Sequence, residues 1–539
     1  MHNSILMSRI LTSFLIALLC LSVSAQKADY SVVPLPRSIK YQKGCFVLDG
    51  TVSIQVAANK DMQRNASFLQ QFVKQQVGLD LAVNVPKAKK AIILSLDNKM
   101  TQDEGYKIVV SSKAVTISGK TPAGVFYGIQ TFRKSLPTEN VSSVEMPAVV
   151  VTDAPRFQYR GAHVDVSRHF FSVSDLKSHI DMFALHNINR LHWHLTDDQG
   201  WRVEIKSLPR LTEVGSVRME TMVGNKFWDF DGKPYGGFFT QDEIREIVRY
   251  AQERYITIVP EIDLPGHMLA ALTAYPNLGC TGGPYHVWTS WGVSRAVLCA
   301  GNDEVLTFLD TVLGEICDLF PSPLIHVGGD ECPKDLWKEC PKCQARIKAL
   351  GLKGDDKHSA EQYLQSFITK HVETFLNARG RNIIGWDEIL EGEIAPNATV
   401  MSWRGEAGGI EAAQKGHDVI MTPTSHMYFD YYQMSDRDHQ PLAFNGYVPM
   451  SKVYGFEPVP SVLTADQQKH IIGLQCNLWT EYVPDLKQAQ YMYLPRMAAL
   501  SEIQWSDNSV RDYNRFTSQL PHMMSLYDKL GYNHCKTYE

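Results

Sequence analysis

Two adjacent carboxylates, Asp330 and Glu331, directly follow a short apolar run that ends in two glycines, within residues 324–332. Gly328 and Gly329 lack a Cβ, so the backbone can turn sharply where it leaves the predicted strand. Neighbours on a regular strand point to opposite faces, and the glycine break would let both acids face one pocket. Two carboxylates held together cannot both ionise easily, so one pKa should rise, which suits a general acid. The alternative is a strand that ends in a solvated acidic turn.

Eight apolar, strand-like runs recur after Pro155, with amphipathic helices between several of them. Alternating strands and helices with continuous apolar strands predict a parallel sheet, and eight repeats favour an α/β fold of the closed (β/α)8 TIM barrel type. A doubly wound open sheet is the alternative, but the sequence has no glycine-rich phosphate loop after the first strand. The predicted strands span 160–166, 190–195, 256–262, 324–327, 383–385, 399–402, 418–421 and 471–478, and the predicted helices span 174–186, 240–254, 304–320 and 359–379.

Charged and aromatic residues stand at the C-terminal ends of these strands, where barrel enzymes form their active sites. Every predicted strand but the seventh ends directly in such residues. Tryptophan faces suit the apolar face of a sugar, while carboxylates and arginine bind its hydroxyl groups. A paired acid in this setting suggests cleavage of a glycosidic bond. Besides the acidic pair, the charged and aromatic residues at the strand ends are Asp165, Arg168, His192, His194, Asp197, Asp198, Glu261, Asp263, His267, Trp386, Asp387, Glu388, Trp403, Arg404, Trp479 and Glu481, and the loop after the seventh strand adds Tyr428 and Asp430.

A rival chemistry is metal-dependent hydrolysis of the barrel amidohydrolase type. His192 and His194 would share one face of the second strand, and the further ligands would be His267, His326 and Asp197 or Asp198. Against this, His192 and His194 lie within the strand, before its polar end. We interpret them as buried, hydrogen-bonded histidines, and we predict neither a metal nor another cofactor in the site.

A different class of protein is a non-catalytic sugar-binding barrel. The intact pair Asp330 and Glu331 argues against it, because binding alone does not require an acid with a raised pKa.

Residues 26–155 predict a small α+β domain ahead of a catalytic barrel that spans 156–539 and ends in a C-terminal helix. Strands are predicted at 52–56, 91–96 and 106–110, with 113–118 completing a hairpin, and helices at 61–77 and 123–136. Pro147 and Pro155 bound a segment that we interpret as the linker between the two domains.

Residues 1–25 have the features of a signal peptide. Arg9 precedes a mostly apolar run over residues 10–23, and small residues precede a cleavage site after Ala25. The run is short for a membrane span, and large Leu18 and Leu19 before Cys20 argue against a lipid anchor. We therefore expect a protein exported to the periplasm or the exterior, without an integral membrane span.

The formal net charge is −5, and the sequence has no Lys/Arg run of the kind that nucleic acid requires. We therefore expect no nucleic-acid partner. No oligomeric state follows from the sequence.

Nine cysteines remain beyond the signal peptide. Cys280 and Cys299 flank a segment rich in glycine and tryptophan and are the first candidates for a disulfide. Cys340 and Cys343 have the spacing of a zinc knuckle, but no second CxxC motif or histidine pair completes a site in the sequence. A local disulfide or free thiols are therefore favoured over a metal.

The stretch His326-Val-Gly-Gly-Asp330-Glu331 resembles the signature of family 20 glycoside hydrolases, the β-N-acetylhexosaminidases. Three further stretches resemble that family in order and spacing, and the resemblance extends over roughly residues 106–505. They are Arg160-Gly with Asp165-Val-Ser-Arg-His-Phe, His194-Leu-Thr-Asp-Asp-Gln-Gly-Trp201 and Pro260-Glu-Ile-Asp-Leu-Pro-Gly-His267.

The resemblance implies exo-acting removal of terminal, non-reducing β-linked N-acetylglucosamine or N-acetylgalactosamine from glycans. It implies a retaining mechanism in which the 2-acetamido oxygen of the substrate is the nucleophile and an oxazolinium-type intermediate forms. Glu331 would be the general acid and then the base, and Asp330 would hold the acetamido N–H. Tyr428 would bond the acetamido oxygen, and Asp197 with His267 would orient Glu331.

The resemblance also implies roles for the remaining candidates. Three aromatic residues would wall the pocket around the N-acetyl group and the ring: Trp386, Trp403 and Trp479. Three charged residues would bind sugar hydroxyl groups: Arg168, Asp430 and Glu481.

Overall fold

A computed structural model describes residues 26–539, so the predicted signal peptide and Cys20 lie outside the described residues. The described chain forms two compact units. The smaller unit comprises residues 26–32 and Pro36–Ala154, and the larger comprises Val33–Leu35 and Pro155–Glu539. Within residues 26–539, no helix combines the length and the apolar character needed to cross a bilayer.

The smaller unit is an eight-stranded mixed sheet with two helices. Tyr106–Val110 and Ala114–Gly119 form the antiparallel hairpin that the sequence predicts. The helices are Lys60–Val77 and Pro122–Ser135, capped by the side chains of Asn59 and Thr121. The remaining strands are Gln26–Lys27, Ser38–Asp49, Ser53–Val56, Ala82–Val83, Ala91–Leu96 and Ser143–Asp153.

The predicted linker at 147–155 is wrong, because most of it belongs to the sheet strand Ser143–Asp153. That strand pairs with Ser38–Asp49 on one side and with Tyr106–Val110 on the other. Pro147 sits where the pairing register with Ser38–Asp49 shifts, a position that tolerates the missing N–H of proline. The proline therefore marks an irregularity within a strand, not the end of the domain.

The larger unit is built on a closed barrel of eight parallel strands, which confirms the predicted TIM barrel and excludes the open sheet. Each predicted strand forms, with shifts of at most two residues at its ends. The strands are Tyr159–Asp165, Arg190–His194, Thr257–Glu261, Leu324–His326, Asn382–Trp386, Thr399–Ser402, Val419–Met421 and Ile471–Cys476. The first strand pairs with the eighth and closes the ring.

The four predicted helices surround this barrel as Val173–Leu185, Gln241–Gln252, Asp303–Leu319 and Ala360–Asn377. Polar caps fix where they begin, because Ser172, Thr240 and Ser359 form capping boxes and Asn302 caps the third helix. The predicted C-terminal helix is Tyr513–Leu530. Shorter helices fill the loops and the rest of the ring: Arg210–Glu213, Leu269–Ala274, Asp335–Glu339, Pro341–Leu350, Ala407–Gln414, Thr424–Met427, Met450–Gly455, Ala465–Gln468, Leu486–Tyr493 and Arg496–Trp505.

Candidate active site

The loops at the C-terminal ends of the barrel strands enclose one cavity that collects the predicted site residues. All of them line it except Asp197, which lies behind His267. The cavity is lined by Arg168, His267, Asp330, Glu331, Trp386, Trp403, Thr424, Tyr428, Asp430, Tyr431, Phe444, Trp479 and Glu481.

The turn after the fourth strand directs both acids into this cavity. Gly328 and Gly329 adopt positive φ angles of 64° and 102°, which favour glycine. A Cβ on Gly328 would lie 1.7 Å from Oδ1 of Asp263, so no other residue fits there. Glu331 also has a positive φ, 46°, which is uncommon for a side chain of its kind. The alternative of a solvated acidic turn is therefore wrong for Asp330, which is buried.

Asp330 is buried, and its Oδ1 atom has no hydrogen-bond partner. Burial raises the pKa of this carboxyl to about 6, and the charges of Glu261 and Glu331 add to the shift while His267 opposes it. Leaving a buried oxygen without a hydrogen bond costs free energy. This oxygen is therefore available to accept a hydrogen bond from a ligand in the cavity.

Glu331 has a different environment from its neighbour. Its side chain is 44% exposed, and its Oε2 lies 3.6 Å from Nε2 of His267. The close approach of His267, with the charges of His267 and Arg168, lowers the pKa of Glu331 although its partial burial opposes this. One pKa of the pair is raised, as expected, but it belongs to Asp330, because Asp330 is the buried member and Glu331 faces a cation.

His267 connects Glu331 to buried carboxylates. Its Nδ1 lies 3.0 Å from Oδ1 of Asp197 and 3.5 Å from Oδ2 of Asp198. Burial alone would lower the pKa of His267, but the carboxylate of Asp197 raises it well above the usual value. His267 is therefore a cation at neutral pH. Arg168 Nη2 lies 2.8 Å from Asp197 Oδ2, so Asp197 is shared between the two cations.

Three tryptophans and a tyrosine form the apolar wall. The indole N–H of Trp386 donates to Oε1 of Glu261 at 2.9 Å, and that of Trp403 donates to Oε2 of Glu388 at 2.9 Å. The rings of Trp403 and Tyr428 stack, and Trp386 contacts Trp479 with ring centroids 5.9 Å apart. Hydrogen bonds thus fix the rings of Trp386 and Trp403, so that the faces of these two rings and not their N–H groups are available to a ligand.

Carboxylates line another part of the cavity. Asp430 Oδ1 and Glu481 Oε2 are buried without hydrogen-bond partners, and burial raises the pKa of each group. Nη1 of Arg168 lies 3.9 Å from Oε1 of Glu481. Acceptors of this kind beside a guanidinium suit a ligand with several hydroxyl groups.

Beneath the cavity, His192 and His194 are buried and hydrogen-bonded, as the sequence predicts. His194 Nδ1 contacts Oε2 of Glu261, and its Nε2 lies 2.8 Å from Oδ2 of Asp197. His192 Nε2 lies 3.0 Å from Oε2 of Glu261, and its Nδ1 accepts from Gln475. Two separate groups here have donor atoms close enough for a metal: His163, His192 and Glu261, and His194, Asp197 and Asp263. In the second group, both ring nitrogens of His194 are already hydrogen-bonded to carboxylates.

Several residues that support or line the cavity were not predicted as site residues. Glu261 ends its strand, and Asp263 and Glu388 follow theirs, but an acidic residue in such a place does not reveal whether it holds a tryptophan or a turn. Tyr431 and Phe444 come from the irregular loop after the seventh strand, where two short strands pair, Tyr431–Tyr432 and Phe444–Tyr447. No periodic pattern marks that loop in the sequence.

The cysteine prediction requires correction. Cys280 and Cys299 do not form the expected disulfide, because neither sulfur is bonded to another sulfur. The structure instead places them beside Cys340 and Cys343, and the four sulfurs form one group. The sequence did not reveal this group because its two halves are far apart along the chain.

Profiles of known families match most of the chain. Glycosyl hydrolase family 20, catalytic domain, matches residues 157–508, and Glycosyl hydrolase family 20, domain 2, matches residues 29–154. A beta-hexosaminidase of Porphyromonas gingivalis is 43% identical over 514 residues, which cover 94% of this chain and 64% of that protein. The chain thus spans slightly less than two thirds of that relative.

Solved structures give the same result. The beta-N-acetylhexosaminidase of Streptomyces coelicolor superposes with a TM-score of 0.82 at 30% identity, covering 95% of this chain and 99% of that one. An exo beta-N-acetylglucosaminidase of Vibrio harveyi, solved with N-acetylglucosamine, has the same TM-score and identity and covers 95% of this chain and 79% of that one. With its barrel, its preceding domain and its acidic pair, the chain belongs to glycosyl hydrolase family 20.

Proposed function

We propose that this protein is an exo-acting β-N-acetylhexosaminidase that removes terminal β-linked N-acetylhexosamine from glycans with retention of configuration. The observation that carries the proposal is the pair Asp330 and Glu331 within the aromatic cavity. One member is buried with a free acceptor oxygen, and the other is accessible beside a cationic histidine. The names of the relatives and the sugar bound by the Vibrio harveyi structure support the same substrate class.

In the first step, the 2-acetamido oxygen of the substrate attacks the anomeric carbon and the bond to the leaving oxygen breaks. Glu331 gives its proton to that oxygen, and an oxazolinium-type intermediate remains. Because the substrate supplies the nucleophile, the protein needs no nucleophilic carboxylate opposite the general acid. Two adjacent carboxylates therefore suffice. A nucleophile pinned in position supplies about 7–11 kcal/mol through its effective molarity, and a positioned acid contributes about 10²–10⁴-fold.

Glu331 must be protonated for this step, although the neighbouring His267 lowers its pKa. Substrate in the cavity removes water from the partly exposed carboxylate, and desolvation raises the pKa of an acid. Substrate binding therefore raises the pKa of Glu331 and favours its protonated form. In the second step, Glu331 accepts a proton from the water that attacks the anomeric carbon, and the acetamido group is restored.

Asp330 accepts a hydrogen bond from the acetamido N–H through the oxygen that lacks a partner. This contact aims the carbonyl oxygen at the anomeric carbon and stabilises the positive charge of the intermediate. The hydroxyl of Tyr428 donates to the acetamido oxygen, while Trp386, Trp403 and Trp479 enclose the acetyl group and the ring.

Arg168, Asp430 and Glu481 bind the sugar hydroxyls. The sugar hydroxyl groups donate to Oδ1 of Asp430 and to Oε2 of Glu481. Without these donors, both buried oxygens lack a hydrogen-bond partner. We assign Asp197 and His267 to positioning: Asp197 fixes the imidazole, and the imidazole orients Glu331.

We further propose that the protein is exported to the periplasm or the exterior. Support comes from the sequence of residues 1–25, with its basic residue, its apolar run and its small residues at the cleavage site. Mass spectrometry of protein from the native host should find a chain that begins at Gln26. Retention of residues 1–25 would contradict the proposal.

An aryl β-N-acetylglucosaminide followed by proton NMR tests the activity. We expect release of intact N-acetylglucosamine that appears first as the β-anomer. A metal-dependent amidohydrolase would release acetate instead, and a sugar-binding barrel would leave the substrate unchanged. Either result would contradict the proposal.

A further inference from the structure

Four cysteines of the larger unit bring their sulfur atoms together outside the cavity. The Sγ atom of Cys299 lies 3.7 Å from those of Cys340 and Cys343, and the Sγ of Cys280 lies 3.9 Å from that of Cys343. All four sulfurs lie within 4.8 Å of one another. Cys299, Cys340 and Cys343 are buried, and Cys280 is partly buried.

These distances match one particular arrangement of thiolates. Zinc binds cysteine sulfur at about 2.3 Å in a tetrahedron, so any two of four ligands are separated by about 3.8 Å. A disulfide would require each sulfur to have a single partner at about 2.0 Å. Here the Sγ of Cys299 is equidistant from two sulfurs, and no pairing is preferred.

Backbone contacts bring the segments that carry these cysteines close together. An isolated bridge joins Gly279 to Leu298, and the N–H of Cys299 donates to the carbonyl of Leu278, which sets Cys280 and Cys299 on neighbouring extended segments. Cys340 precedes the helix Pro341–Leu350, and Cys343 lies in its first turn.

Gly301 packs against this first turn. A Cβ on Gly301 would lie 2.1 Å from the carbonyl carbon of Lys342 and 2.4 Å from the N atom of Cys343. This packing holds the chain just after Cys299 directly against the helix turn that carries Cys343. Thus Gly301 provides an observation independent of the cysteine distances.

We propose that Cys280, Cys299, Cys340 and Cys343 bind one structural zinc ion as four thiolates. The site has no open position, because four protein ligands complete the tetrahedron. It is therefore a stabilising site and takes no part in bond cleavage.

The zinc joins the loop after the third barrel strand to the loop after the fourth. Between Cys280 and Cys299, the N–H of Ser294 donates to Asp198, which contacts His267. The other loop follows Glu331 directly and reaches Cys340 through Trp337, whose indole N–H donates to the carbonyl of Leu298. The zinc thus holds together the two loops that carry His267 and Glu331.

Metal analysis of the full chain, purified without chelator under air, tests this site directly. We expect about one zinc per chain by inductively coupled plasma mass spectrometry, released when a mercurial reagent blocks the thiols. Replacement of the zinc by Co²⁺ should give thiolate-to-cobalt charge transfer and the visible bands of tetrahedral cobalt. Protein without stoichiometric metal would overturn the proposal, whether its four thiols are free or joined in two disulfides that mass spectrometry detects.

Variants extend the test. Cys343→Ser should lose the zinc and melt at a lower temperature, and Gly301→Ala should lose it although all four sulfurs remain. The matched control is Cys317→Ser, a partly buried cysteine outside the group, which should keep the zinc. Phenanthroline should lower the melting temperature of the wild type and of Cys317→Ser, but not that of Cys343→Ser. An equal effect of the chelator on all three proteins would contradict the site.

Discussion

The Nε2 atom of His267 lies 3.6 Å from the Oε2 atom of Glu331, and both residues have left-handed backbone conformations, with φ angles of 51° and 46°. Such conformations cost about 1–3 kcal/mol each and persist only where the surrounding structure enforces them. The contact thus joins two strained residues that line the cavity. This arrangement fits a site in which the direction of one carboxylate matters more than local stability.

His267→Gln should move the acid limb of the kcat/KM profile to higher pH. Asp330 must be ionised to hold the acetamido N–H, and its raised pKa, about 6, sets the pH below which activity falls. The positive charge of His267 lowers that pKa, so removing it raises the pKa further. The pH dependence of hydrolysis of an aryl substrate measures the limb. A limb that stays in place or moves to lower pH would contradict the assignment.

Glu331→Gln should lose about 10²–10⁴-fold in kcat on substrates with poor leaving groups and much less on aryl glycosides with good ones. Only the poor leaving groups need a proton from Glu331. A series of aryl substrates with increasing leaving-group pKa measures the difference. The matched control is Glu393→Gln, since Glu393 is exposed and does not line the cavity. Equal losses across the series would rule out the acid role.

Glu388→Ala should raise KM with a smaller change in kcat. Oε2 of Glu388 accepts the indole N–H of Trp403, and without it this wall of the cavity is free to rotate. A lost orienting contact weakens binding of the ground state and the transition state together. Steady-state kinetics and affinity for N-acetylglucosamine would show the change. An unchanged KM would mean that packing alone holds Trp403.

Glu261→Ala should lower the free energy of unfolding by about 3–5 kcal/mol, because it removes one partner of a buried charged group. Glu261 is fully buried among His192, His194 and His326 and also holds Trp386. The pKa of His194 is raised well above its usual value by the charges of Glu261 and Asp197, against its burial, so the variant leaves a buried cation with less compensation. Urea unfolding measures the difference, and a loss below 1 kcal/mol would indicate that the network is dispensable.

The barrel was predictable because its information is local. Each strand is a short apolar run, and the residues after it share one rim, so adjacent motifs such as Asp330 and Glu331 could be placed from spacing alone. The strand Ser143–Asp153 was missed because Pro147 marks a register shift that looks like a linker. Tyr431 and Phe444 come from an irregular loop, and their position depends on tertiary contacts.

The cysteine group is a clearer case of a feature that the sequence alone does not predict. Cys280 and Cys299 meet Cys340 and Cys343 only because two rim loops fold onto each other. The sequence contains one CxxC motif, and without the fold nothing identifies the other two ligands. The division of pKa shifts between Asp330 and Glu331 also required the structure, because it depends on which carboxylate is buried.

The central claim is that the substrate supplies the nucleophile and that Asp330 holds it. Inhibition by a thiazoline mimic of the bicyclic intermediate, measured on the wild type and on Asp330→Asn, tests this claim most directly. We expect the mimic to bind the wild type at least about 10²-fold more tightly than N-acetylglucosamine, as analogues of the reacting state do. Asp330→Asn should fold normally, lose turnover and lose most of this preference. A mimic that binds no more tightly than N-acetylglucosamine, or equal inhibition of both proteins, would contradict the account.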